Sequence, residues 1–226
     1  MKYIIVGLGS FGSSLAIKLT EKGNEVIGID TNMGRVDMYK ERISHCICMD
    51  ATDEHTVSGL PLKDTDLVVV AIGENKGANI MATALFKNLQ VKRLISRAID
   101  SLHEKVLHAI GIDEIVHPEE ESAERWAKKL CLKGVLNSFE LNDDFSIVEA
   151  VLPPEFDGKT IREINIRENY NLIVLTTISN KEVKSIIGKT RNITKVKGVA
   201  NPDNTLYLDD ILVIYGSNKD IKRFLN

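Results

Sequence analysis

The chain has 226 residues, 43% of them hydrophobic and 27% charged, with 29 Lys plus Arg against 32 Asp plus Glu and a formal net charge of −3. That balance excludes a disordered chain, which lacks the apolar residues needed to offset backbone entropy, and argues against a nucleic-acid-binding domain, which carries a basic excess. The longest apolar runs, such as residues 67–72, fall far short of the roughly 20 residues of a bilayer span, and residues 1–6 lack the basic and apolar regions of an export signal.

Residues 2–6 are a short β-branched run and read as a first strand. They lead into Gly7-Leu8-Gly9-Ser10-Phe11-Gly12 and an amphipathic stretch to about Lys22, closed by Gly23-Asn24 in the manner of a helix C-terminus. Residues 25–29 are a second strand ending on Asp30, and 32–42 a helix. Residues 46–49 are a third strand, followed by Asp50-Ala51-Thr52-Asp53, where Thr52 or Asp53 can cap a short helix to about Gly59. The continuous apolar run 67–72 marks a strand covered on both faces, as in a parallel sheet. Beyond Gly73 come a helix over 75–88, a strand over 93–96, a helix over 101–110 closed by Gly111, and a strand over 113–116 stopped by Pro118. Residues 119–133 read as a long helix. Six strands alternating with helices predict an α/β fold, a Rossmann-type doubly wound parallel sheet.

The pattern changes near Gly134. Residues 135–142 read as a connector or strand, 145–152 as a strand, 159–164 as a short helix and 172–178 as a strand. Residues 181–197 are basic: Lys181, Lys184, Lys189, Arg191, Lys195 and Lys197 stand against Glu182. Residues 206–208 and 211–215 suggest a hairpin around Asp209-Asp210, and 219–225 a closing helix. The expected organisation is therefore a nucleotide-type domain over 1–134, including the helix 119–133, and a small α+β domain over 135–226. Of three cysteines, Cys46 and Cys48 lack the C-x-x-C spacing of a redox or zinc site. Two apart on a strand they point the same way and are expected to pack into one face of the sheet. A structural role is expected for Cys131 as well, in a disulfide-free cytoplasmic protein.

Gly7, Gly9 and Gly12 form G-x-G-x-x-G between a strand and a helix, with Asp30 closing the next strand. Gly7 permits the tight turn, Gly9 lets the backbone approach a diphosphate, and Gly12 lets the helix pack close to the sheet. The helix N-terminus offers free N–H groups to phosphate oxygens. Asp30 can accept from both ribose hydroxyls, and its charge disfavours the 2′-phosphate of NADP. Asp50, Ala51 and Thr52 follow strand three at the adenine edge; Ile72 and Gly73, then Glu74 and Asn75, follow strand four; Arg97 follows strand five, within reach of a phosphate or of a surface carboxylate. Catalytic patterns are missing. Tyr215-x-x-x-Lys219 matches a dehydrogenase dyad by spacing alone, and its place across a strand end outside the nucleotide domain argues against that chemistry. His45, His55, His103, His108 and His117 show no metal spacing, and there is no G-x-S-x-G elbow.

The glycine fingerprint, the acidic end of strand two, Asp-Ala-Thr at 50–52, Ala-Ile-Gly-Glu-Asn at 71–75, His-Glu-Lys-Val-Leu at 103–107, Ile-Gly-Ile-Asp-Glu-Ile at 110–115 and His-Pro-Glu at 117–119 come in one order. That order resembles the KTN/RCK family (TrkA-N plus TrkA-C domains), the cytosolic regulatory subunits of bacterial potassium uptake systems of the Ktr and Trk type. The C-terminal part is similar to the RCK-C domain at Phe145-Ser-Ile-Val-Glu-Ala, Gly158-Lys-x-Ile-x-Glu-Ile-Asn and Asp209-Asp-Ile-Leu-Val-Ile-Tyr-Gly. The resemblance covers nearly the whole chain and is nearest to the KtrA-like type with one copy of each domain.

The resemblance implies a non-enzymatic gating subunit. Such proteins pair as homodimers and assemble into an octameric ring beneath a membrane-embedded potassium channel or transporter subunit, touching the inner face of the membrane only through that partner. ATP, ADP, AMP or NAD(H) binding shifts the ring conformation. The implied nucleotide positions are Gly7, Gly9, Ser10, Phe11, Gly12, Asp30, Asp50, Ala51, Thr52, Ile72, Gly73, Arg97 and Ala98. Glu119 corresponds to a glutamate that holds a divalent cation in some members, with a solvated helix-start carboxylate as the alternative. Ile164, Asn165 and Arg167, with Ile173 nearby, correspond to a stretch that binds cyclic di-AMP in some members. Relatives that discriminate ATP carry an arginine in the glycine loop where this chain has Ser10, which favours AMP, ADP or NAD. The basic segment 181–197 is longer than the usual loop; a solvated hairpin and a basic face toward anionic lipid or the channel are both open, and it displaces the usual cyclic di-AMP loop. A small NAD(H)-dependent oxidoreductase is the alternative function, and it would need a proton donor beside the nicotinamide. A nucleotide-sensing repressor would need a helix-turn-helix module.

Overall fold

A computed structural model of the chain describes residues 1–131, 134–184 and 190–225, with 128, 180–184 and 190–194 described at the level of the backbone only. It divides into two compact units, Met1–Glu119 and Glu120–Asn226.

The first unit alternates strands and helices: β1 (Lys2–Val6), α1 (Ser10–Glu21), β2 (Glu25–Asp30), α2 (Met33–Tyr39), β3 (His45–Cys48), α3 (Glu54–Val57), β4 (Leu67–Val70), α4 (Lys76–Asn88), β5 (Leu94–Arg97), α5 (Ser101–Ala109) and β6 (Glu114–Val116). The six strands form one parallel sheet in the order β3-β2-β1-β4-β5-β6. The order reverses between β1 and β4, and ligands of open parallel sheets bind in the crevice outside the strand ends at such a reversal. Adjacent strand residues point to opposite faces, and here both faces are covered. Ile4, Val6, Val68 and Val70 pack with Ala82 and Phe86 of α4, while Ile5 and Val69 pack with Ala16 and Ile17 of α1. This double burial explains the unbroken apolar run at β4.

Helix α6 (Pro118–Cys131) carries the chain onward; all but its first two residues fall in the second unit, whereas the sequence pattern predicts a boundary after residue 134. The second unit holds β7 (Val135–Glu140), β8 (Phe145–Val151), α7 (Ile161–Ile164), α8 (Ile166–Tyr170), β9 (Ile173–Lys184), β10 (Thr190–Val196), β11 (Asp210–Ser217) and α9 (Asn218–Leu225). Its five strands are antiparallel in the order β10-β9-β11-β8-β7. Every second residue of β11 is buried, the alternation of a sheet covered on one face. Leu212 and Ile214 join Val148, Ala150, Ile221 and Phe224 in its core, where the rings of Phe156 and Phe224 stack at 5.3 Å.

Two expectations change here, while the basic segment shows the antiparallel pairing that the hairpin reading needs. Residues 206–208 are not a strand. Asp210 Oδ2 accepts from the Tyr207 amide at 3.1 Å, the Asp210 amide donates to the Tyr207 carbonyl at 2.8 Å, and the result is a tight turn into β11, which pairs with β8 and β9 instead. The basic segment contains the end of β9 and the strand β10, hydrogen-bonded to each other; residues 185–189 and the side chains of Lys181, Lys184 and Arg191 lie outside what is described. Cys46 packs into the core of the first unit, but Cys48, on the edge strand β3, and Cys131 are exposed free thiols, so the structural role expected for all three holds only for Cys46.

Candidate functional site

The loop between β1 and α1 opens at the β1/β4 reversal. Gly7 has φ of +95°, in the left-handed region that favours glycine, and a Cβ on it would press on Ile72 of the β4 loop at 3.1 Å. A Cβ on Gly12 would overlap the Gly7 carbonyl oxygen, so this residue allows α1 to approach the loop. Gly9 is different. It stands at the N-cap of α1, no side chain caps that helix end, and a Cβ there would meet nothing within 4 Å. The bare position leaves backbone N–H groups and the positive end of a 12-residue helix facing open space, the arrangement that binds phosphate.

Asp30 closes β2 beside this loop and is only 7% exposed. Its Oδ2 accepts from the Leu8 amide at 2.8 Å and its Oδ1 from the Asn32 amide at 2.8 Å. Each oxygen keeps a further lone-pair direction for a ligand donor. Beyond β3, Asp50 Oδ1 accepts from both the amide (2.9 Å) and the hydroxyl (2.8 Å) of Thr52, and these two bonds hold its carboxyl below the usual aspartate range. Across the reversal, the loop after β4 is anchored by Asn79 of α4, fully buried, whose side-chain amide donates to the Ile72 carbonyl at 2.9 Å and the Arg97 carbonyl at 3.1 Å. Arg97, at the end of β5, donates to the Ala71 carbonyl at 3.3 Å and pairs with Glu119. Its buried Nε has no partner.

The ends of these loops line one cavity of about 760 Å³, the size of a small-molecule site. Of the expected nucleotide positions, Gly7, Gly9, Ser10 and Asp30 line it from the β1 and β2 side, Asp50, Ala51 and Thr52 from beyond β3, and Ile72, Gly73 and Arg97 from the β4 and β5 side. Glu119 also lines it. Phe11, Gly12 and Ala98 do not: the half-buried Phe11 ring packs against the core beneath α1, 6.0 Å from the Arg97 guanidinium, Gly12 is buried against Gly7, and Ala98 packs with Leu107 and Ile112. Arg35 lines the cavity without having been expected, because nothing in its spacing separates it from a surface arginine on α2. Its guanidinium lies 3.5 Å from Asp30 Oδ2 and 2.7 Å from Glu74 Oε1. In the second unit, Asn165, Arg167 and Ile173 are exposed, but the Ile164 side chain turns inward into the core.

The TrkA-N domain family matches residues 3–118. Ktr system potassium uptake protein C of Bacillus subtilis is 36% identical over 225 residues, covering 99% of this chain and 95% of the relative. The chain belongs to this family of potassium uptake proteins. Ktr system potassium uptake protein A of the same organism is 32% identical over 225 residues, covering 100% and 96%. Among solved structures, the GsuK RCK domain matches 100% of this chain and 47% of its own with a TM-score of 0.64 at 17% identity. The GsuK channel bound to NAD matches 99% and 39% with a TM-score of 0.63 at 18% identity. The chain thus spans less than half of each solved chain, and likeness at these identities is likeness of fold.

Proposed function

We propose that the chain is a nucleotide-binding regulatory subunit of a potassium uptake system. One observation carries the reading: an uncapped glycine-loop helix end and a buried carboxylate, Asp30, share a cavity at the sheet reversal of a chain that matches Ktr potassium uptake proteins over nearly its full length. Asp30 accepts from the ribose, the amides around Gly9 and Ser10 hold phosphate, and Arg97 meets the distal phosphate. An adenine nucleotide such as NAD, ADP or AMP fits this donor set, and the NAD-bound channel among the structural neighbours supports it. The nucleotide is a ligand rather than a substrate.

Regulation is population shift. A ligand moves the equilibrium between conformations only by binding one of them better. In this reading 1–134 is the sensor, 135–226 the dimerising module, and rings of such dimers act on a separate membrane-embedded subunit at the inner face of the membrane. No described helix is long and apolar enough to cross a membrane. A divalent cation fits the chain poorly by itself: the described residues hold no group of three or more His, Cys, Asp or Glu that could bind one, and Glu119 pairs with Arg97. Cyclic di-AMP on Asn165, Arg167 and Ile173 would be a second ligand in the same reading. The test is potassium uptake into cells that contain the membrane subunit, with and without this chain. Nucleotide-dependent uptake that needs the chain and is lost in Asp30→Ala is expected. Uptake indifferent to the chain would overturn the reading.

A further inference from the structure

The Arg35 guanidinium lies between two carboxylates of the cavity lining. Asp30, at the end of β2, is 3.5 Å from Nη1, and Glu74, in the loop after β4, is 2.7 Å from Nη2. All three residues line the cavity. The carboxylate at the end of the second strand is where folds of this class receive the ribose hydroxyls, and an arginine beside it is what admits a 2′-phosphate. Arg35 stands beside that carboxylate, but its charge is already engaged by Glu74. We propose that Glu74 is a specificity-determining residue of the cavity: by holding Arg35 it excludes nucleotides phosphorylated on the ribose 2′-hydroxyl and leaves the unphosphorylated diol to Asp30. The inference rests on the nucleotide-binding reading above and deepens it.

Charge arithmetic supports the assignment. Asp30 and Glu74 carry two negative charges against the single positive charge of Arg35. A 2′-phosphate, with a charge of roughly −1.5 to −2 near neutral pH, therefore enters a place that is already net negative. The Glu74 side chain is 81% exposed. An ion pair so open to water contributes little to stability, so its consequence lies in what it does to the arginine beside the ligand. Neutralising Glu74 leaves one carboxylate against one guanidinium, and the guanidinium is then free to form the paired hydrogen bonds with phosphate that arginine favours.

The experiment is calorimetric titration of the full chain with AMP and with adenosine 2′,5′-bisphosphate, which differ by one 2′-phosphate. Wild type is expected to prefer AMP by more than about tenfold. Glu74→Gln is expected to narrow that preference at least about fivefold, through tighter bisphosphate binding. Adding Arg35→Ala to Glu74→Gln should restore the preference. A ratio unchanged in Glu74→Gln, or a wild type without preference, overturns the inference while leaving the nucleotide site intact. A wild type that binds neither AMP, ADP nor NAD overturns the nucleotide reading and this inference with it.

Discussion

The Leu8 amide donates to Oδ2 of Asp30 at 2.8 Å, so the glycine loop and the end of β2 are fastened to each other by the residue expected to receive the ribose. Asp30 therefore has two jobs, and variants separate them. Asp30→Ala leaves the buried Leu8 amide without an acceptor, a loss of about 1–3 kcal/mol, and is expected to lower the melting temperature and weaken nucleotide binding at least about tenfold. Asp30→Asn keeps one acceptor oxygen and should recover part of the melting temperature while binding stays weak. Thermal melts and calorimetry on the two variants read this directly. Equal stability of wild type and Asp30→Ala would contradict it.

The glycines of the fingerprint are expected to fail in different ways. A Cβ on Gly12 would overlap the Gly7 carbonyl, so Gly12→Ala should cost stability whether or not ligand is present. A Cβ on Gly9 meets nothing in the protein, so Gly9→Ala should melt close to wild type and lose affinity for phosphorylated ligands, with adenosine binding far less affected. Melting curves and titrations with ADP and adenosine distinguish the two. A Gly9→Ala variant with unchanged ADP affinity would remove the loop from the phosphate site.

Arg97 pairs with Glu119, and both line the cavity. A phosphate reaching Arg97 competes with that carboxylate. Glu119→Gln is therefore expected to bind ADP a few-fold tighter in the presence of a chelator, as the guanidinium is released. If Glu119 instead serves as a cation ligand, the same variant loses affinity selectively when magnesium is added. Titrations in EDTA and in magnesium chloride decide between the two outcomes.

His103 of α5 is 2% exposed, and its Nδ1 accepts from the Ile99 amide at 3.3 Å. Burial pushes its pKa below the ordinary histidine value, with nearby Lys76 adding to the shift and Asp100 opposing it. The unfolded chain therefore takes up the proton first as pH falls. The sign follows: stability is full above the unfolded pKa of about 6.5 and declines from there down to the lowered native value. His103→Gln keeps an acceptor for the Ile99 amide without titrating, so its melting temperature should fall less than that of wild type between pH 7 and pH 5. Parallel profiles would show that His103 contributes nothing to acid sensitivity.

Much of the first unit was legible in the sequence because its signals are local. Apolar runs covered on both faces, glycines at turns and Asn or Asp at helix starts specify strand and helix one after another. Asn32, Asp53, Asn75 and Asp100 do cap α2, α3, α4 and α5 with their side chains. Most expected cavity residues lie there because the strand ends, once ordered, bring their loops together. Arg35 and Asn79 were not legible, since their roles depend on partners distant in sequence: Glu74 across the cavity, and the Ile72 and Arg97 carbonyls. The second unit was harder. α8 is bounded by Asn165 and Asn171, both in the left-handed region at φ of 48° and 55°, a conformation that sequence alone does not reveal for non-glycine residues. The β-branched Thr190, Ile193, Thr194 and Val196 of β10 were masked by the basic residues between them.

The central claim is that this chain holds an adenine nucleotide in the Asp30 cavity, and native mass spectrometry of the purified full chain tests it most directly. The account predicts an adenine nucleotide on wild type at one per chain, either copurified or after addition of AMP, ADP, ATP or NAD, and its loss from folded Asp30→Asn. A wild-type chain that carries none and takes up none would contradict it.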